Sequence, residues 1–379
     1  MPCTTCSPTL AASTSGPRAR WASSSSALAS WSPRSTARSS SSGPRRSSSR
    51  AACSRFTSPG RRARSARSAR SSRSRSSSGH RSRAAPRRRL TRGTTACRMR
   101  ASDLMKLLAI SDLHVGFPDN RTAVASLGAR PDDWLILGGD LGETFEHVRF
   151  VLDTLAPRFR KLVWVPGNHE LYVNPHEPGE PRGAARYARY IELCRERGVL
   201  TPEDPYPIWE GEGGPHLIVP MFLLYDYTFR PDHVPVSEAV AWAAEQGIAA
   251  ADEVLLDPAP FPSRPAWCHA RVAETEARLR TAPALPKVLI NHFPLRQDLV
   301  FLPRVPRFSP WCGTRKTTDW HVRFDARVVV QGHLHVRRTV HVDGVRFEEV
   351  SFGYPRERRS DRSIDAYVKQ ILPTPEITP

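Results

Sequence analysis

Met105-Lys106-Leu107-Leu108-Ala109-Ile110-Ser111-Asp112-Leu113-His114 carries a short apolar run directly into two side chains that can bind metal ions or protons. The run Leu107 to Ile110 has the length and continuity of a buried strand, and Ser-Asp ends it by delivering its carboxyl end to a polar loop. The same form recurs at Trp134 to Leu137, Leu162 to Val165, Val288 to Ile290 and Val328 to Val330, each followed almost at once by Asp, Asn or His. Between these runs, helical patterns cover Phe145 to Leu155, Ala184 to Arg197 and Trp267 to Arg280, with Pro and Gly at their ends. Strands alternating with helices predict an α/β domain, in which sites collect beyond the carboxyl ends of the strands. A further strand is expected at Leu217 to Leu224, and Arg337 to Val342 with Val345 to Val350 reads as a hairpin across Asp343-Gly344. The Pro-rich stretch from Arg230 to Pro265 is expected to be irregular, either capping the site or packing as a long excursion.

The polar residues sit where that rule puts a site. Asp112 and His114, two apart on what reads as an extended segment, are expected to point the same way and reach one ion. Gly138-Gly139-Asp140 follows the second strand; the glycines permit a tight turn, and one carboxylate there can bridge two ions with its two oxygens. Gly167-Asn168-His169-Glu170 follows the third and offers an amide oxygen ligand beside an imidazole that need not bind metal. Asn291-His292 and Gly332-His333-Leu334-His335 follow the last two. Mixed carboxylate, amide and imidazole donors suit divalent ions such as Mn, Fe or Zn rather than a thiolate site. Two such ions about 3.5 to 4 Å apart activate water and clamp phosphoryl oxygens, so hydrolysis of phosphate esters is the expected chemistry. Taken alone, an Asp-x-His is more often a structural histidine beside a solvated acid. Five such matches, in order and each at a strand end, point to a metal site.

Charge divides the chain. Residues 1 to 104 hold 23 Arg, no Lys and one acid, Asp103, for a formal +22 against +19 for the whole, which leaves −3 for the remainder. Ser runs and scarce aliphatic residues predict a disordered tail that closes no core. Three readings of this tail compete: a nucleic-acid-binding arm, a transit peptide, or translation upstream of a mis-assigned start at which Met105 is the true opening. The third is preferred, so nucleic acid is not expected as a partner apart from that tail. No apolar stretch is long enough for a secretory core or a membrane span, and seven Cys without a CxxC pair among the last three suggest no disulfide framework. A cytoplasmic protein with no membrane contact is expected.

The ordered set Asp-x-His, Gly-Asp, Gly-Asn-His-Glu, His and Gly-His-x-His resembles the calcineurin-like metallophosphoesterase superfamily over roughly residues 105 to 354. The resemblance implies two central β-sheets flanked by helices, a four-layer αββα sandwich, with 355 to 379 as a polar C-terminal extension. It implies that Asp112, His114 and His335 hold one ion, that Asn168, His292 and His333 hold the other, and that Asp140 bridges them. His169 would then assist the leaving group, and Glu170 would either support His169 or cap the following helix.

Longer strings, Val219 to Tyr227, Trp311 to His321 and Asp343 to Ser351, resemble a bacterial branch of that superfamily, the phosphopantetheinyl hydrolases. That likeness implies removal of phosphopantetheine from holo acyl carrier protein by cleavage of the phosphodiester to a serine. Gln331 and Arg358 depart from the branch pattern, where Tyr and Trp are expected. The alternative within the same chemistry is a phosphodiesterase or phosphatase for nucleotides or other small phosphoesters, which would call for aromatic walls that stack a base. Arg296, Arg315 and Lys316 are candidates to hold phosphate or an acidic partner, although such cations are commonly just solvated, and Tyr225 is expected to line the site or pack beneath it.

Overall fold

The computed structural model describes residues 20–21, 105–174 and 179–375. Expectations for the Arg- and Ser-rich tail therefore fall outside the described residues, save for a short pairing of Arg20–Trp21 with Ile248–Ala249.

Two mixed sheets carry the fold. The first has four strands in the order β10-β1-β2-β3: β1 is Leu107–Ile110, β2 Arg130–Leu137, β3 Phe159–Trp164 and β10 Lys369–Leu372. The second has six in the order β8-β9-β7-β6-β5-β4. These are β4 Ile208–Trp209, β5 His216–Pro220, β6 Lys287–Ile290, β7 Ala326–Gln331, β8 Arg338–Val342 and β9 Val345–Glu349. Within each sheet the central strands are parallel, so their carboxyl ends point the same way.

Side-chain alternation explains the layering. Leu107, Ala109, Trp134, Ile136 and Val163 form one buried cluster with Ile218, Val288, Ile290, Val328 and Val330, which is the seam between the two sheets. The intervening residues Leu108, Ile110, Leu135, Leu137, Leu217 and Val219 belong to a second cluster shared with the helices. Successive side chains of a strand leave by opposite faces, so a run apolar at every position must be covered on both. Helix α2, Phe145–Leu155, supplies Val148, Val151, Leu152 and Leu155 at helical spacing, and its N-cap Thr144 accepts the His147 N–H. Helix α6, Arg264–Arg280, starts at the Ser263 cap and buries Trp267, Val272 and Leu279. The remaining α-helices among the described residues are α1 Pro118–Ser126, α3 Gly183–Arg195, α4 Ala239–Ala244, α5 Asp252–Leu255 and α7 Trp320–Arg323. None of the described helices is long and apolar enough to cross a membrane.

Two expectations need correction. The strand expected to reach Leu224 stops at Pro220, because beyond it the Leu223 N–H is taken by the Asn291 side chain at 3.0 Å rather than by a neighbouring strand. The stretch after 354, expected to be a polar extension, is built into the domain. Lys369–Leu372 pairs antiparallel with β1, and Ile364, Tyr367, Ile371 and Leu372 are buried. Alternating Lys, Gln and Asp in that stretch hid an edge strand whose apolar residues are few but all inward.

Candidate metal centre

Both sheets deliver their carboxyl ends to one place, and an isolated bridge between Ser111 and Ser351 joins them there. Loop backbone continues the pairing past the strands: the Asp112 N–H reaches Gly139 O at 2.9 Å, His114 N–H reaches Asp140 O at 3.0 Å, and Gly353 N–H reaches Asp112 O at 3.1 Å. This zipper holds an unusual backbone. Asp112, His114, Asp140, His333 and His335 all have φ between 42° and 71°. The left-handed region costs a non-glycine residue roughly 1 to 3 kcal/mol, which persists only where surrounding bonds fix it. Asp112 and His114 thus meet through two left-handed residues and not by alternation along an extended strand, as the sequence suggested.

The side chains converge in three overlapping groups, Asp112–His114–His335, His114–Asp140–His169 and Asp140–His292–His333, each able to hold an ion by its spacing. In the first, His335 Nε2 lies 3.1 Å from Asp112 Oδ1 and 3.2 Å from His114 Nε2. Donors bound to one ion at about 2.1 Å stand about 3 Å or a little more apart, so the separations suit a common ion. Asp140 belongs to two of the groups, through one oxygen. Its Oδ2 lies 3.3 Å from His292 Nε2 and 4.0 Å from His114 Nε2, while Oδ1 accepts the His169 N–H at 3.0 Å. Asp140 Oδ2 thus faces donors of both groups, while Oδ1, expected from the sequence to reach a second ion, accepts a backbone N–H. Gly167 makes this possible, since a Cβ there would fall 2.0 Å from Asp140 Oδ1.

Besides His292 Nε2, which faces Asp140, two further buried donor atoms make no hydrogen bond: Asn168 Oδ1 and His333 Nε2. A buried acceptor left unpaired costs about 1 to 3 kcal/mol, and a cation would satisfy both. The donor set thus fits divalent ions by type, spacing and unmet valence. Three of the donors are also aimed from behind. His292 Nδ1 faces Gly138 O at 2.9 Å and His335 Nδ1 faces Glu357 at 2.7 Å, which leaves each Nε2 to the centre. Asp252 does the same for Asn168, accepting its amide N–H at 3.1 Å so that Oδ1 turns inward. It also accepts the Tyr172 hydroxyl at 2.5 Å. Sequence reasoning missed Asp252, Glu143 and Glu357, because lone acids in irregular segments carry no pattern.

Burial and the neighbouring carboxylates together set the proton affinity of the imidazoles. Burial works to depress His292 and His335, but Asp140 beside the first and Asp112 beside the second outweigh it and lift both to about 10. Burial and the neighbouring His292 push His333 down to about 3. For Asp112, burial is overcome by His335, which holds its carboxyl well below the usual range.

His169 stands apart from the strand-end donors. Its Nδ1 lies 3.1 Å from Glu143 Oε1 and its Nε2 3.8 Å from Asp140 Oδ2. Burial opposes its charge, but Asp140 and Glu143 raise it to about 9. Glu170 neither supports His169 nor caps a helix. Its carboxylate accepts the N–H groups of Asp140 at 3.0 Å, Gly167 at 2.8 Å and Leu141 at 2.8 Å, tying two ligand loops together. Glu170→Ala would strand three buried N–H groups at about 1 to 3 kcal/mol each, so thermal denaturation should show a loss of at least about 3 kcal/mol. A melting curve unchanged from wild type would contradict that role.

The four expected substrate residues lie elsewhere. Arg296 is committed to Asp298 at 2.7 Å and to Thr318 O and His321; Arg315 is committed to Asp232 at 2.6 Å and Gln297. Lys316 is exposed and Tyr225 is wholly buried, and neither lines the cleft. Asp298 in its own loop neutralises Arg296, and Asp232 from a distant segment neutralises Arg315, which is why cation content alone misled. The cleft over the converging donors is lined instead by Leu302, Val305, Phe308, Tyr354, Arg356 and Glu357, among others.

Residues 105–337 match the family described as calcineurin-like phosphoesterase. The chain is 51% identical over 276 residues to an [acyl-carrier-protein] phosphodiesterase, PptH, of Mycobacterium tuberculosis, covering 72% of this chain and 85% of that protein. The crystal structure of that organism's phosphopantetheinyl hydrolase superposes with a TM-score of 0.69 at 50% identity, over 73% of this chain and 99% of the other.

Proposed function

The chain belongs to the calcineurin-like phosphoesterase family, and on that premise we propose that this metal-dependent phosphoesterase removes phosphopantetheine from holo acyl carrier protein. The observation that carries the chemistry is the Asp140 Oδ2 shared by two donor groups; likeness to a carrier-protein phosphodiesterase supports the substrate. Asp112, His114 and His335 would hold one divalent ion, Asn168, His292 and His333 the other, and Asp140 both. Oxygen and nitrogen donors without thiolate favour Mn, Fe or Zn.

Two ions there would polarise the phosphoryl group and lower the pKa of a water. The chain's own residues supply the rest. The bond from phosphorus to the serine oxygen breaks as one to water oxygen forms, and the departing alkoxide needs a proton. His169 Nε2 carries one at neutral pH and stands beside Asp140. Glu143 holds the opposite ring nitrogen and steadies the imidazolium. The products are apo carrier protein, with its serine hydroxyl restored, and free phosphopantetheine. We place the activity in the cytoplasm; among the described residues the thiols of Cys194, Cys268 and Cys312 are free and buried, which is compatible with a reducing compartment.

Mass spectrometry of holo acyl carrier protein incubated with the full chain and Mn²⁺ tests this reading. Loss of the phosphopantetheine mass that depends on both Mn²⁺ and Asp140 is the expected result. An unchanged carrier mass, with a chromogenic phosphodiester still hydrolysed, would overturn the substrate while leaving the metal centre. A second expectation concerns loading. Because His292 and His335 are protonated below about 10 in the ion-free protein, ions must displace those protons, so affinity should rise with pH. Calorimetry at pH 7.5 in buffers of different ionisation enthalpy should report at least one proton released; identical heats in both buffers would refute the exchange.

A further inference from the structure

The lining of the cleft contains two groups of side chains unlike in kind. The first centres on Arg356, an exposed guanidinium with no hydrogen bond or ion pair to the described residues. It rests on the Tyr354 ring at 5.2 Å, and Tyr354 in turn stacks on His114 at 4.5 Å and abuts His335 at 4.7 Å. The adjacent Glu357 is already committed to His335 and to the Tyr354 N–H at 3.0 Å. A guanidinium held one ring from the metal donors is suited to a phosphoryl oxygen, which it meets with paired N–H groups. Arg296 and Arg315, the two candidate phosphate clamps, are each paired with a carboxylate, and Arg356 is not.

The second group is apolar: Leu302, Val305 and Phe308, with Ala250, Ala251 and Leu334. Phe308 stacks on His333 at 5.8 Å, which places this surface next to the donors of the other ion. Half-buried aliphatic side chains beside a polar floor gain by covering an uncharged ligand. A nucleobase would need an open ring face. The rings of Tyr172, Phe308 and Tyr354 each already lie against an imidazole.

We propose that this cleft reads the phosphopantetheine side of the substrate, with Arg356 gripping a non-bridging oxygen of the diester and Leu302, Val305 and Phe308 receiving the branched, uncharged arm beyond it. The assignment rests on the carrier-protein reading above. It makes the arm, and not the protein surface, the part recognised next to the metals.

Binding calorimetry on the Mn²⁺-loaded full chain, with phosphopantetheine and inorganic phosphate as the two probes, separates the roles. Wild type should bind phosphopantetheine at least about ten-fold more tightly than phosphate. Arg356→Gln should weaken both probes by about ten-fold or more, with Arg356→Lys between, since a charge-assisted bond is lost. Val305→Asp should weaken phosphopantetheine and leave phosphate within about two-fold. Metal content and melting temperature of each variant establish that the centre and fold persist. Equal affinity of wild type for the two probes, or an Arg356→Gln variant indistinguishable from wild type, would overturn the assignment. Holo carrier protein cut by an enzyme without the preference sinks this inference alone; a preference intact with carrier protein uncut sinks the carrier-protein reading and, with it, the assignment of this cleft to the diester.

Discussion

Asp140→Ala should empty the centre of both ions and take phosphodiester hydrolysis below detection. The reason is geometric: Oδ2 is the one oxygen that faces donors of both groups, with His292 at 3.3 Å and His114 at 4.0 Å. Removing an outer partner of a metal ligand costs roughly 10- to 100-fold in affinity, and removing the shared ligand itself must cost more. Its other oxygen holds the His169 N–H at 3.0 Å, so the third loop also loses its anchor. Asp140→Asn separates charge from shape, because the amide keeps the volume but withdraws the negative charge that draws protons or cations to His292. Elemental analysis of purified variants beside rates on a chromogenic diester is the measurement. Retention of two ions per chain in Asp140→Ala would disprove the shared-ligand role.

His169→Ala should behave otherwise, retaining both ions and losing turnover by about 10² to 10⁴, the range of a general acid. The size of the loss depends on the leaving group. A serine alkoxide needs a proton and should show the full defect, whereas a nitrophenolate leaves unaided and should show little. The pH profile adds a sign. Burial depresses His169, but Asp140 and Glu143 raise it to about 9; cations beside Asp140 will draw that value down again. Since the acid works only while protonated, wild-type rates fall as pH passes this value, and His169→Ala should lose that alkaline limb. Equal loss of metal from His169→Ala and Asp140→Ala would erase the distinction between ligand and acid.

Periodicity made the parallel strands legible, because a strand covered on both faces must be apolar at every position, as Leu107 to Ile110 is. The donor residues were legible for a related reason: each follows such a strand at its carboxyl end, where the fold collects polar groups. What escaped was whatever the chain supplies from irregular segments. Asp252, which aims Asn168, lies 84 residues from it in the Pro-rich excursion, and no spacing rule connects them. Arg356 was overlooked while Arg296 and Arg315 were chosen, because a sequence shows charge and not which carboxylate has already claimed it. The left-handed residues were equally silent, since Asp and His at φ near 50° obey packing around the centre and not their own preference.

One consequence of the edge strand β10 concerns the order in which the protein becomes active during synthesis. Strand β1, which presents Asp112 and His114, leaves the ribosome early, but its antiparallel partner at Lys369–Leu372 and the donors His292, His333 and His335 emerge long afterwards. Until they arrive, one flank of β1 is unpaired, and the two donor groups that draw on His292, His333 and His335 are incomplete. The full set of donors is therefore assembled only when the last strands have joined the two sheets.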